Sequence, residues 1–313
     1  MARTPWFGQQ HPAINLNHLA RRGEEVLERI ARAGVTVPPG NRIARAISRL
    51  DTLNEELRAG RFPAETDFAT QRLILEHQST LLDALLVVFA LDERKVGPRA
   101  IKEVHLSALL EGADLPLSEG HDRSRDFQFE AVVGASLALA GLQVQFGEPD
   151  FHVAFYDSEI GVAVKRISSA KPTKVYDRLR EANQQLRANA LQGIAVVNLD
   201  AWPSDLEPAE SADSFGARFE EDCYEAYRQL MKLSERPNLI GVIISRTNCG
   251  WDFGASPPQP WRQSGWQIIL FADDEREKSR LISFFDPAFS RLQASRGEIA
   301  RLLARSDAAS PST

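Results

Sequence analysis

The stretch Gly147-Glu148-Pro149-Asp150, followed by Val162-Ala163-Val164-Lys165-Arg166, decides how this chain folds. Apolar residues alternate with others on both sides of the short polar link Asp157-Ser158-Glu159. This pattern predicts two β-strands, near 150–156 and 160–167, joined as an antiparallel hairpin. The alternation places Asp150, Ala163 and Lys165 on one face and at one end of the predicted sheet.

The segments on either side of this hairpin alternate between helix-like and strand-like patterns. A helix over about 124–140 carries Glu130 and is followed by a strand near 143–147. After the hairpin, the apolar stripe of 173–190 predicts a helix, and Gly193-Ile194-Ala195-Val196-Val197-Asn198-Leu199-Asp200 predicts a buried strand. The remaining predicted elements are strands near 239–245 and 266–272 and helices near 215–235 and 274–305. The order predicts an α/β domain with a mixed sheet.

The part of the chain before this domain is predicted to be α-helical. Helical spacing of apolar residues recurs from residue 14 to about 118. A long helix is predicted from Asp67 to about Leu91, and its apolar run 81–91 indicates a buried helix of a bundle. The segment 112–125 is rich in Gly, Pro, Ser and Asp, which is typical of a boundary. We therefore predict a helical N-terminal region over 1–118 and an α/β domain over 119–313.

The order of these elements, with Glu130 on a helix, Pro149-Asp150 at a strand start and Lys165 on the next strand, resembles the PD-(D/E)XK, restriction-endonuclease-like superfamily. The resemblance covers about residues 124–272. It implies a nuclease fold and a site that hydrolyses the phosphodiester bonds of DNA, with Mg²⁺ or Mn²⁺ as cofactor. It also implies that Asp150 and Glu130 hold the metal and that Lys165 orients the attacking water or offsets phosphate charge. Mg²⁺ prefers hard oxygen ligands, and such an ion activates water and stabilises charge on the scissile phosphate.

One position departs from that superfamily pattern. An acid is expected two residues before the lysine, and this chain has Ala163 there. Either a residue elsewhere in the chain supplies the missing carboxylate, or the site lacks it. Glu181 on the following helix is the first candidate for a migrated ligand, because Asp177, Glu181 and Gln184 lie on one helical face. Glu148 is the second, because it shares strand parity with Asp150.

If the carboxylate is lost, the chain is a catalytically degenerate nuclease-fold protein that serves as a nucleic-acid-binding or protein-interaction module. An α/β binding protein unrelated to the nucleases is a third hypothesis. Other metal or nucleotide chemistry has little support, because the six histidines are scattered and the chain has no P-loop and no Gly-x-Gly-x-x-Gly after a strand.

Composition indicates where the protein is located more clearly than what reaction it performs. The formal net charge is −6 and the pI is about 5.6, which disfavours a broadly basic nucleic-acid surface without excluding a local one. Two cysteines cannot build a disulfide framework, and the first residues lack the apolar run of a signal peptide. We predict a cytoplasmic protein that does not span a membrane.

Surface features give weaker indications of partners. The helically spaced Arg42, Arg45 and Arg49, and an aromatic segment with Trp251 and Trp261, could contact nucleic acid, although a solvated helix face and core packing are simpler interpretations. The apolar run 81–91 requires a cover, either from the α/β domain or from a homodimer through the N-terminal helices.

Overall fold

The computed structural model describes residues 2–3, 7–10, 15–61, 68–92, 103–114, 122–167, 173–200, 212–233, 238–252, 259–272 and 274–304. The fold over these residues is mixed α/β, with helices on both faces of an open mixed sheet. The described residues contain eight helices: α1 (Leu16–Arg32), α2 (Arg42–Arg58), α3 (Phe68–Asp92), α4 (Glu103–Leu110), α5 (Arg123–Leu139), α6 (Thr173–Ala188), α7 (Ala212–Met231) and α8 (Glu275–Ala304).

The sheet is seven strands wide, because two short strands follow one another along the same edge. In sheet order the strands are β1-β8-β7-β6-β5-β4-β3, and β2 also pairs with β8. Among the strands of the described residues, only the β5–β6 and β6–β7 pairs are parallel. The bounds are β1 (Ala2–Arg3), β2 (Phe7–Gln10), β3 (Val144–Gly147), β4 (Asp150–Phe155), β5 (Ser158–Arg166), β6 (Gly193–Asn198), β7 (Leu239–Asp252) and β8 (Gln259–Leu270).

The elements around the predicted hairpin occur in the predicted order, α5-β3-β4-β5-α6-β6. Strands β4 and β5 are antiparallel, with Phe151 opposite Val162 and Phe155 opposite Ser158. Strand β5 then pairs in parallel with β6 through the α6 crossover, which is the connection that parallel strands require. At Gly193 an added Cβ would lie 2.0 Å from the carbonyl oxygen of Gly161, so this close strand approach needs glycine.

Three helix starts follow from local chemistry. The side chains of Asn15, Asn41 and Asp122 each accept a hydrogen bond from a backbone N–H of the first turn, at 3.1, 3.0 and 3.3 Å. These residues satisfy donors that a helix leaves unpaired at its N-terminus. The starts of α2 and α5 therefore lie within about two residues of the predicted bounds.

Two apolar layers pack against the sheet, one on each face. One contains Phe151, Val164 and Ile243 together with residues of α1, α2, α3, α5 and α8. The other contains Ala163 and Val197 together with residues of α6 and α7. The first layer is continuous from the N-terminal helices to the sheet. The predicted boundary at 118–119 falls in 115–121, outside the described residues.

Helix α3 (Phe68–Asp92) agrees within about one residue with the helix predicted from Asp67 to about Leu91. It contacts α1, α2, α5 and β7, so much of its apolar surface is covered within the chain. By length and composition, its segment Thr70–Leu91 is long and apolar enough to cross a membrane, and 67% of the apolar window is buried in the protein. A core helix of a soluble protein meets the same criteria.

Strands β7 and β8 are longer than predicted. They continue the antiparallel pairing past the other strands, from Gly241 opposite Leu270 to Asp252 opposite Gln259. The predicted bounds 239–245 and 266–272 are therefore wrong at the ends of this hairpin. Trp251 and Trp261 lie in strands and are buried, as the core-packing interpretation predicts, whereas 253–258 lie outside the described residues.

Candidate active site

The β4–β5 hairpin brings Asp150 and Lys165 together. Continuing the pairing of Phe151 with Val162 by one residue sets Asp150 opposite Ala163, and Lys165 lies two residues further on the same face. The Lys165 Nζ atom lies 3.5 Å from Asp150 Oδ2, and each side chain is 16% exposed. The predicted proximity of these two side chains is confirmed.

The carboxylate of Asp150 is held in place by a hydrogen bond, and burial makes its negative charge unfavourable. Its Oδ2 atom accepts a hydrogen bond from the Val164 N–H at 2.6 Å. Burial raises the pKa of Asp150 from 3.8 to about 6, and the charge of Glu130 acts in the same direction. Lys165, the Val164 N–H and Gln185 lower this pKa without cancelling the effect of burial. A cation near Asp150 would remove the cost of the buried negative charge.

Gln185 on α6 connects the members of this site. Its Oε1 atom accepts a hydrogen bond from Lys165 Nζ at 2.7 Å. Its Nε2 atom donates to Glu148 Oε2 at 3.1 Å, to Asp150 Oδ1 at 3.5 Å and to the carbonyl oxygen of Pro149. The sequence predicts only that site-facing polar residues of this helix lie among Arg178, Glu181, Gln184 and Gln185. The structure singles it out.

Glu148 is thereby brought to the site. Together with Asp150 and the Pro149 carbonyl it presents three oxygen atoms toward one point, the amide nitrogen of Gln185. Glu148 is exposed and Asp150 is half-buried, so the group lies at the surface, at one end of the sheet. Two carboxylates and a carbonyl form a donor set that suits Mg²⁺ or Mn²⁺, with water completing the coordination.

Glu130 approaches from the opposite face of the sheet. Helix α5 packs on the side of Phe151 and Val164, and the charge of Glu130 raises the pKa of Asp150. Glu130 Oε2 lies 3.4 Å from Nε2 of His105, a fully buried residue of α4. The His105 ring packs edge-on against Phe146, with ring centroids 4.6 Å apart. The sequence contains no signal for this His–Glu pair, because the contact joins two helices.

Glu181 makes a different interaction. Its Oε2 atom accepts a hydrogen bond from Arg178 Nη1 at 2.7 Å, and its side chain is 45% exposed. No hydrogen bond or ion pair among the described residues joins Glu181 to Asp150 or Lys165. Glu181 lies one helical turn from Gln185, and its role as a metal ligand stays a prediction.

Ala163 is fully buried, within the apolar layer that α6 and α7 form on the sheet. The position that would carry the second acid therefore contributes to core packing. Among the described residues no group of three or more His, Cys, Asp or Glu side chains is arranged to hold a metal ion. Any metal site here must therefore include backbone oxygen, an amide or water.

Other polar side chains near the site or on the N-terminal helices have partners of their own. His152 lies 3.0 Å from Glu159 and 2.5 Å from the carbonyl oxygen of Glu148, so it supports the loop that carries Glu148. Arg42 is 1% exposed and donates to Gln128 at 2.6 Å, which makes it unavailable to a phosphate group. Arg45 pairs with Asp114 at 2.8 Å.

Comparison with protein-family models, with curated proteins and with solved structures finds no match to this chain.

Proposed function

We propose that this protein is a metal-dependent nuclease that hydrolyses phosphodiester bonds, with DNA as its substrate. The observation that carries the proposal is the contact between Asp150 and Lys165 on adjacent strands, at 3.5 Å, on one face at one end of the sheet. The order α5-β3-β4-β5-α6-β6 around it is the order expected of a restriction-endonuclease-like core. The four helices before α5 would form the predicted N-terminal helical region, with a role in substrate selection.

The donor set supports a role for Mg²⁺ or Mn²⁺. Asp150 would hold the ion, with Glu148 in the role of the acid that Ala163 cannot supply. Glu130 would act from the other face of the sheet by raising the pKa of Asp150. When bound, the ion supplies an activated water and stabilisation of phosphate charge. Lys165, whose ammonium has several acceptors within reach, would orient that water or offset charge on the phosphate.

A second candidate function is a degenerate nuclease fold that binds nucleic acid or protein without cutting. The specific observation that favours it is that the side chains of the site satisfy one another's hydrogen bonds. The Lys165 ammonium donates hydrogen bonds to Asp150, Gln185 and the Val164 carbonyl. Ala163 is fully buried in the core. A chain that binds DNA but does not cut it would support this alternative.

The experiment that separates these functions is cleavage of duplex and single-stranded DNA with Mg²⁺ or Mn²⁺. Asp150→Asn and Lys165→Ala should each lower the rate at least about 100-fold, since a loss of about 3 kcal/mol in transition-state stabilisation corresponds to that factor. Asp177→Asn and Lys174→Ala are matched controls, because this exposed pair lies on α6 and is joined at 3.5 Å. They should retain wild-type rates. Wild-type protein that does not cut, or cutting that survives loss of both Asp150 and Lys165, would reject the nuclease proposal.

A homodimer through the N-terminal helices and a cytoplasmic location also stay proposals. The cover that α3 requires is largely supplied by α1, α2 and α5 of the same chain, so the dimer needs a different surface. Light scattering on the full chain tests it, and the mass of a monomer at micromolar concentration would reject it.

A further inference from the structure

The amide group of Gln185 stands at the point where the oxygen atoms of the candidate metal site converge. Its Nε2 atom is a donor to Glu148 Oε2, Asp150 Oδ1 and the Pro149 carbonyl. Three acceptors around one small donor resemble the environment of a bound cation more than that of an ordinary glutamine, whose amide nitrogen has two hydrogens to donate.

The orientation of this amide follows from its neighbours. The Oε1 atom faces the ammonium of Lys165 at 2.7 Å, and Nε2 faces only acceptors. If Oε1 and Nε2 changed places, the amide oxygen would face two carboxylates and a carbonyl, which are all acceptors. The NH₂ group would then face the lysine ammonium, which is a donor. The network therefore determines the assignment.

We propose that Gln185 is a displaceable occupant of a divalent-cation site formed by Glu148, the Pro149 carbonyl and Asp150. The cation and the amide compete for the same oxygen atoms, so metal binding requires the Gln185 side chain to turn away. This inference rests on the proposed function for the identity of the cation and specifies what regulates its binding.

The same movement affects the lysine. When Gln185 leaves, Lys165 loses its acceptor at 2.7 Å, and its ammonium becomes available to water or a phosphate oxygen. Metal binding and release of Lys165 are thus one event. Before that event the neutral amide of Gln185 holds the site closed through hydrogen bonds to Lys165, Glu148 and Asp150, which require no metal.

The test is Mn²⁺ affinity of the full chain, measured by calorimetry and by the paramagnetic resonance signal of free Mn²⁺. Gln185→Ala removes the competitor and should bind Mn²⁺ about tenfold more tightly than wild type, the scale of one net hydrogen bond. Gln184→Ala is the matched control, since Gln184 is the exposed neighbour on the same helix, and its affinity should equal that of wild type.

Gln185→Glu supplies a second measurement that does not depend on a truncation. A carboxylate there cannot donate to Glu148 and Asp150, so the unfolding temperature in EDTA should fall below that of wild type. It can ligate a cation, so the increase in unfolding temperature on addition of Mn²⁺ should exceed that of wild type. A residue with only a structural role would lower both values.

The outcomes separate this inference from the proposed function. If Mn²⁺ binds wild type through Asp150 but binds Gln185→Ala no more tightly, Gln185 is not a competitor and the inference fails while the metal site stands. If Mn²⁺ binds the Gln185 variants but not wild type, the amide blocks the site, and the inference stands while wild-type nuclease activity is rejected. If Mn²⁺ binds none of these proteins, both are wrong.

Discussion

The raised pKa of Asp150 makes the folded protein less stable as the pH rises through the range in which this carboxyl titrates. The carboxyl has an ordinary pKa of 3.8 in the unfolded chain and about 6 in the folded chain, because burial disfavours its charge. Between these values the folded state binds more protons than the unfolded state, so stability falls as pH rises from about 4 to 6 and then levels off. The full effect is about 3 kcal/mol, from roughly two pKa units at 1.36 kcal/mol each.

Asp150→Asn removes this dependence. Its free energy of unfolding relative to wild type should increase by about 2 kcal/mol between pH 4 and pH 7, the part of the titration that falls in that interval. The side chain is 16% exposed, so solvent screening reduces the effect only modestly. Urea denaturation of both proteins in EDTA at half-unit pH steps measures it. A difference between the two proteins that stays constant, or that favours wild type as pH rises, would refute this assignment of the charge cost to Asp150.

Further predictions concern the missing acid. Ala163→Glu should destabilise the chain by more than about 3 kcal/mol, because it buries a charged side chain in an apolar layer, and thermal denaturation will measure this loss. An unchanged unfolding temperature would show that position 163 is open to solvent. Glu148→Gln should weaken Mn²⁺ binding at least about tenfold if Glu148 is the substitute ligand, since it removes a charged oxygen donor, whereas Glu181→Gln should leave it unchanged. The reverse result, read by calorimetry, would identify Glu181 as the ligand.

The local pattern of the chain determined the elements near the site. Alternation around Asp157 predicts β4 and β5 as a hairpin, and the two-residue side-chain period places Asp150 and Lys165 on one face. These features depend on backbone geometry over a few residues, so they can be read without knowledge of the rest of the fold. The helix caps at Asn41 and Asp122 are local for the same reason.

Tertiary structure alone decided the extent of the sheet. Residues 2–3 and 7–10 are edge strands because β8 offers them unpaired backbone groups, and their own sequence carries no alternating apolar pattern. The far ends of β7 and β8 contain Gly250, Cys249 and Trp261, which fit a loop as well as a strand. Their strand conformation comes from pairing with each other.

Tertiary structure also decided which side chains meet at the candidate site. Gln185 reaches Lys165 and the oxygen atoms of Glu148 and Asp150 because α6 folds back over β5. His105 meets Glu130 because α4 packs on α5. Sequence spacing determines which face of an element a residue occupies, but the partner on another element is set by packing. The sequence therefore predicted that Asp150 and Lys165 meet, and left open whether another residue supplies the acid that is absent at Ala163.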